Sequence, residues 1–133
     1  VGQFTIVLGY DGTRTASEAL RLAIFHARHF DGFIHVVYSV AEGHEGRIEE
    51  IDAARGFLGH AEEILKENHI PCETHLLVRG QSPGKDLIQF AQDCNADEII
   101  VGVRKTSKVE KLFFGSTAQY VVVHASCPVV LVK

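Results

Sequence analysis

Five short strand-like runs, each followed by a segment of helical spacing or by the chain's end, restrict this sequence more than any other feature. The runs fall at residues 4–8, 33–40, 73–79, 99–101 and 128–132. The first and fourth, FTIVL and IIV, are almost unbroken apolar stretches. A strand with one wet face alternates apolar and polar residues, whereas an unbroken run belongs to a strand covered on both faces. Strands that alternate with helices form βαβ units with right-handed crossovers, and hence a parallel sheet. The expected fold is α/β: an open parallel five-stranded sheet of order 3-2-1-4-5, with helices on both faces, Rossmann-like. In such sheets ligands lie beyond the carboxyl ends of the strands, where the strand order reverses.

The helices carry their own signals. After Gly9-Tyr10-Asp11-Gly12, Thr15 and Glu18 fit a capping box. Ala19, Leu20, Ala23, Ala27 and Phe30 then repeat at helical spacing, so the first helix is expected over 16–30 and stops at Asp31-Gly32. Ile48, Ile51, Ala54, Leu58, Ala61 and Leu65 mark a second helix ending near Asn68. Gly56 and Gly59 either weaken that helix by about 1 kcal/mol each or mark close packing. Ser82 and Pro83 read as the N-cap and first residue of a third helix, lined by Leu87, Ile88, Ala91 and Cys94. Residues 115–124 read as the fourth.

At 133 residues the sequence is expected to be one domain over 1–133, large enough for a substantial core. Its net charge of −4 gives no reason to expect nucleic acid or an anionic membrane as a partner. No apolar run approaches the roughly 20 residues of a membrane span. The opening VGQFTIVLGY lacks a basic leader and reads as a strand. Three dispersed cysteines, Cys72, Cys94 and Cys127, without a Cys-x-x-Cys, suggest core thiols in a reducing cytoplasm.

Within this acidic chain one stretch is basic. After Gly102 come Arg104, Lys105, Lys108 and Lys111, and then Gly115-Ser116-Thr117 opens a helix. Glycine at a strand end admits close approach to the backbone, and a helix start offers unpaired N–H groups with partial positive charge. These are the parts of a phosphate cradle, set across the switch point from Asp11. The bland alternative is a solvated basic loop.

These features together resemble the universal stress protein family, over essentially the whole chain. The resemblance rests on IVLGYDGT, IHVVYSV and CPVVLV, and on Gly102, Gly115 and Ser116 at the spacing of the family motif Gly-x2-Gly-x9-Gly-(Ser/Thr). Lys105 stands where that motif has its middle glycine. The resemblance implies ATP as a regulatory ligand, its phosphates on Gly102, Gly115, Ser116 and Thr117, adenine near Val36, and Asp11 in the pocket. A carboxylate beside polyphosphate is repulsive unless Mg²⁺ bridges the two or the carboxylate binds a ribose hydroxyl. Lys105 either binds phosphate as a point charge or fills its place, with strain if the position needs a positive φ. The resemblance also implies a homodimer through the edge strand 128–132. The alternative is a nucleotide-free dimer acting through protein contacts.

No catalytic residue is expected. Ser82 and Ser116 read as caps, and no Gly-x-Ser-x-Gly elbow surrounds either. Leu77-Val78-Arg79-Gly80 has no phosphoacceptor of the response-regulator kind, and GYDGT is a poor match to an ATP-pyrophosphatase turn. Any ATP hydrolysis is expected to be slow, for want of an acid–base pair. His26 and His29 share a helix face without an acid or third ligand, so no metal is expected there. His35 reads as a core or rim residue with a satisfied ring nitrogen, and His124 as a helix-end residue that suits the dipole.

Overall fold

The computed structural model describes residues 3–41, 47–105, 112–113 and 115–133. Five strands form one sheet: β1 (Phe4–Gly9), β2 (Gly32–Ser39), β3 (Cys72–Leu77), β4 (Glu98–Gly102) and β7 (Val129–Val132). Their order is β3-β2-β1-β4-β7, and every pairing is parallel. That is the expected 3-2-1-4-5, with the reversal between β1 and β4. Two further short strands, β5 (Arg104–Lys105) and β6 (Leu112–Phe113), pair antiparallel as a ribbon after β4. Arg104 and Lys105 of the basic stretch are therefore on this ribbon, and residues 106–111, with Lys108 and Lys111, lie outside the described part.

Helices α1 (Arg14–Phe30) and α2 (Arg47–Glu67) cover one face of the sheet, α3 (Pro83–Asp93) and α4 (Gly115–His124) the other. Alternation along β2 shows the division. Ile34 and Val36 enter the α1/α2 core with Ile6, Leu8 and Ile100, all fully buried. Val37 enters the α3/α4 core with Val7, Ile99 and Val101. The two layers account for the near-continuous apolar runs, since both sides of the central strands are dry.

The start of α1 differs from the expected capping box. Thr13 is the N-cap, its Oγ1 accepting from the Ala16 N–H at 3.2 Å. Asp11 sets this up: its Oδ1 accepts from the Thr13 N–H at 3.0 Å and from the Thr13 hydroxyl at 2.6 Å. Gly12, at φ +75°, makes the turn between them. Thr15 instead lies one residue inside the helix, and Glu18 pairs with Arg21 at 3.4 Å. At the far end Asp31 takes the left-handed conformation, φ 54°, and its N–H returns to the Ala27 carbonyl. Ser82 caps α3 by backbone position, without a side-chain hydrogen bond. Gly56 and Gly59 face open space, so they mark no close packing, and Ile48 is exposed and not part of the buried stripe. Strand β3 stops at Leu77, two residues before Arg79.

Candidate functional site

At the carboxyl end of the sheet, a cleft of about 170 Å³ opens between β1 and β4 on the α3/α4 side. Gly9, Tyr10 and Asp11 form one wall, Val101 and Gly102 another. Val37 and Ser39 border it from β2, Pro83 and Leu87 from α3, and Thr117 from α4. Parallel topology brings the N-termini of α3 and α4 to this edge, so partial positive charge from both helices faces the opening.

Of the residues singled out from sequence, Asp11, Gly102 and Thr117 meet at this cleft. Gly115 and Ser116 open the adjoining turn of α4, with Gly115 at φ +72° and no atom near the place a Cβ would occupy. Lys105 is on the extended, paired backbone of β5, opposite Leu112. Left-handed strain therefore does not arise there, and its side chain lies outside the described part. Val36 does not line the cleft. Its side chain is fully buried in the opposite core, and the neighbouring positions Val37 and Ser39 take its place.

Two of the glycines have packing reasons of their own. A Cβ on Gly102 would sit 2.8 Å from Thr15 Oγ1 and 2.9 Å from the Thr15 carbonyl carbon. The first turn of α1 is thus pressed onto the end of β4, and only glycine leaves room. A Cβ on Gly9 would meet Val101 at 2.9 Å and Leu87 at 3.1 Å.

Behind the cleft lies a carboxylate that no sequence motif pointed to. Asp86, in the first turn of α3, is fully buried. It accepts from the Ser39 hydroxyl at 2.6 Å and from Gln81 Nε2 at 2.8 Å, and its own N–H donates to the Ser82 carbonyl at 3.1 Å. These bonds replace water for a group that is costly to bury unpaired, and they tie β2 to the start of α3. An acid in the first turn of a helix is a recognisable signal, but its burial depends on the packing of α3 over Ser39.

The histidines also find partners that sequence alone did not supply. His26 Nδ1 lies 2.7 Å from Glu98 Oε1, joining α1 to the start of β4. His29 and His124 each approach the carbonyl four residues earlier in their own helices, Phe25 at 2.8 Å and Tyr120 at 2.9 Å. His35 has a satisfied ring nitrogen, as expected, with Nδ1 3.0 Å from His75 Nε2. All three cysteines are free thiols and partly buried, and burial pushes each thiol up from its ordinary pKa.

Comparison with known proteins decides the lineage. The model of the Universal stress protein family matches residues 4–133. The chain belongs to the universal stress protein family. A universal stress protein of Thermus aquaticus is 34% identical over 97% of this chain and 98% of its own length. A universal stress protein structure from Archaeoglobus fulgidus superimposes with a TM-score of 0.88 at 34% identity, covering 100% of both chains. A second Archaeoglobus fulgidus universal stress protein structure, in complex with dAMP, gives a TM-score of 0.82 at 32% identity over 100% of this chain and 99% of that one. Among the described residues, no helix of this universal stress domain is long and apolar enough to cross a membrane.

Proposed function

We propose that this chain binds an adenine nucleotide as a regulatory ligand, with ATP the occupant and a cytoplasmic homodimer the working form. The observation that carries the reading is the cleft at the β1/β4 switch point, where Asp11, Gly102 and the first turn of α4 come together. A nucleoside fits against Val37 and Ser39, with the phosphates running toward Gly102, Gly115, Ser116 and Thr117. Asp11 has one oxygen engaged by Thr13, which leaves the other for a ribose hydroxyl or for Mg²⁺. The 32% identical relative in complex with dAMP supports an adenine ligand. Lys105, three residues beyond the end of β4, supplies the cation for the outer phosphates, which favours ATP over a monophosphate.

The alternative is a nucleotide-free dimer acting through protein contacts, and one observation favours it. Packing against Thr15 explains the glycine at position 102 without any phosphate. Lys105→Gly separates the two readings, because a lysine that binds phosphate and a lysine that blocks it give opposite signs. The expected result is ATP affinity about tenfold weaker or more, with AMP nearly unchanged, measured by titration calorimetry. Tighter ATP binding by the variant contradicts the reading.

Association is the second part of the proposal. β7 is an edge strand, pairing on one side with β4. Its four residues are each partly exposed, and an apolar edge with free backbone groups invites pairing with a second copy. Val130→Lys at the middle of that edge should give monomers or aggregates. A wild-type chain that sediments as a monomer at tens of micromolar would exclude the dimer.

A further inference from the structure

On the α3/α4 face the covering helices end before the sheet does. At the amino end this leaves an open cleft of about 590 Å³, bordered by Thr5, Phe33, His35, Glu73, Cys94 and Asp97. His35 and Glu73 line this cleft, and His75, just beyond its lining, points to the same side of the sheet. The β2–β3 register places His35 opposite Glu73, and His75 follows two residues later on the same face. His35 Nδ1 and His75 Nε2 are 3.0 Å apart, and His75 Nε2 is 4.0 Å from Glu73 Oε2. One ligand atom from each of the three residues lies within 4.8 Å of the other two.

We propose that His35, Glu73 and His75 form a binding site for a divalent transition cation of the zinc class. Zinc bonds of about 2.0–2.2 Å to nitrogen and oxygen place tetrahedral ligand atoms roughly 3.3 Å apart. The two imidazole nitrogens already stand near that separation, and a small swing of the Glu73 carboxylate closes the third edge. Two imidazoles and one carboxylate suit zinc, cobalt or iron and are a poor set for Mg²⁺, which takes oxygen ligands. A fourth position faces the open cleft and takes water or a small anion.

The surroundings hold the rings in place. Phe90 of α3 packs on both imidazoles, with ring centroids 5.3 Å from His35 and 4.5 Å from His75, and Phe33 lies 4.8 Å from His35. Asp97, the other carboxylate at the cleft, is occupied, its Oδ2 accepting from the Thr5 N–H at 2.8 Å. Without a cation the two facing nitrogens share a single proton, one ring donating to the other.

The test uses tag-free protein, stripped with chelator and titrated with Zn²⁺, Co²⁺ and Mg²⁺. Bound metal is counted after gel filtration, and nitrogen ligation is read from the visible ligand-field bands of Co²⁺. One Zn²⁺ or Co²⁺ per chain is expected, with no Mg²⁺ uptake. Affinity should fall by about tenfold or more in His35→Ala, His75→Ala and Glu73→Gln, since loss of a ligand costs at least as much as loss of a group supporting one. Glu73 is more than half exposed, so Glu73→Gln stays folded even where a histidine variant does not. No uptake by the wild-type chain, or uptake undiminished in His75→Ala or Glu73→Gln, overturns the proposal.

Discussion

The two faces of the sheet are covered by helices of different length, and both the switch-point cleft and the cleft beside His35 and Glu73 lie on the face of the shorter pair. Helices α1 and α2, of 17 and 21 residues, run about 25–32 Å. Helices α3 and α4 have 11 and 10 residues and reach only about 15–17 Å. Under the long helices Ile6, Leu8, Ile34 and Val36 are fully buried. Under the short ones Val7, Val37 and Ile99 are as deeply buried at the centre, and clefts open toward either end. The carboxyl end holds the cleft beside Asp11 and Gly102, while His35 and Glu73 line the cleft toward the amino end, with His75 two residues further along β3. Strand β2 records the contrast in eight residues. Its α1/α2 side reads Ile34, Val36, Tyr38, while its α3/α4 side reads Phe33, His35, Val37, Ser39, of which only Val37 is buried.

The largest effect that could break this comparison is on stability. Ile34→Ala should cost about 2–5 kcal/mol by denaturant unfolding, as for other buried large-to-small changes. Phe33→Ala, next along the strand but partly wet, should cost no more than about 1–2 kcal/mol. Equal losses would mean that the α3/α4 face is as well covered as the other.

Gly102→Ala probes the place where the well-covered face meets the cleft. Its Cβ would push on the Thr15 backbone, so a loss of about 1–3 kcal/mol is expected whether or not nucleotide is present. Gly59→Ala in α2 faces open space and should instead gain up to about 1 kcal/mol. A neutral Gly102→Ala would show that α1 does not press on β4.

Much of the architecture could be read from the sequence because burial on two faces leaves nearly unbroken apolar runs at β1 and β4, and five strand-like runs with intervening helices admit few topologies. Unbroken runs, however, hide direction. Nothing in Ile34-His35-Val36-Val37 says which valine points to which side, and the family match that put adenine near Val36 does not say so either. The side chain beside the cleft is that of Val37. Thr13 and Thr15 are equally good caps in isolation. The choice between them falls to the Asp11 turn and to the contact of Thr15 with Gly102. A ribbon of two residues per strand is too short to leave a period. The His35–Glu73–His75 group joins residues about 40 positions apart, and only the β2–β3 register brings them together.

A smaller effect separates the two roles of Asp11. Asp11→Asn keeps an acceptor for Thr13 and removes the charge, while Asp11→Ala removes both. Only the alanine variant should lose fold stability, about 0.5–2 kcal/mol by thermal or denaturant unfolding, as for a lost helix cap. Both should weaken nucleotide binding if the carboxylate contacts ribose or Mg²⁺. Unchanged calorimetric affinity in Asp11→Asn would leave Asp11 a structural residue alone.

The smallest expected effect is in pH dependence, and it belongs to the amino end. Burial lowers both His35 and His75 below 6.5, with His75 also lowering His35 and Glu73 acting against the shift in each. Below 6.5 the unfolded chain takes up protons that the folded rings resist. Stability from this pair is therefore fully present above 6.5 and declines as the pH falls from there through the lowered folded values. His75→Gln should flatten that decline in unfolding curves of the chelator-stripped protein between pH 7 and 5. A decline unaltered by the substitution would assign it to other groups.

The most direct test of the nucleotide site is an amide-resolved NMR titration of the wild-type chain with ATP. Binding at the β1/β4 switch point should shift Asp11, Ser39, Gly102 and the turn Gly115, Ser116 and Thr117, and leave Thr5, His35 and Glu73 where they were. Millimolar ATP that moves none of the first group, or that moves the second instead, would contradict the account.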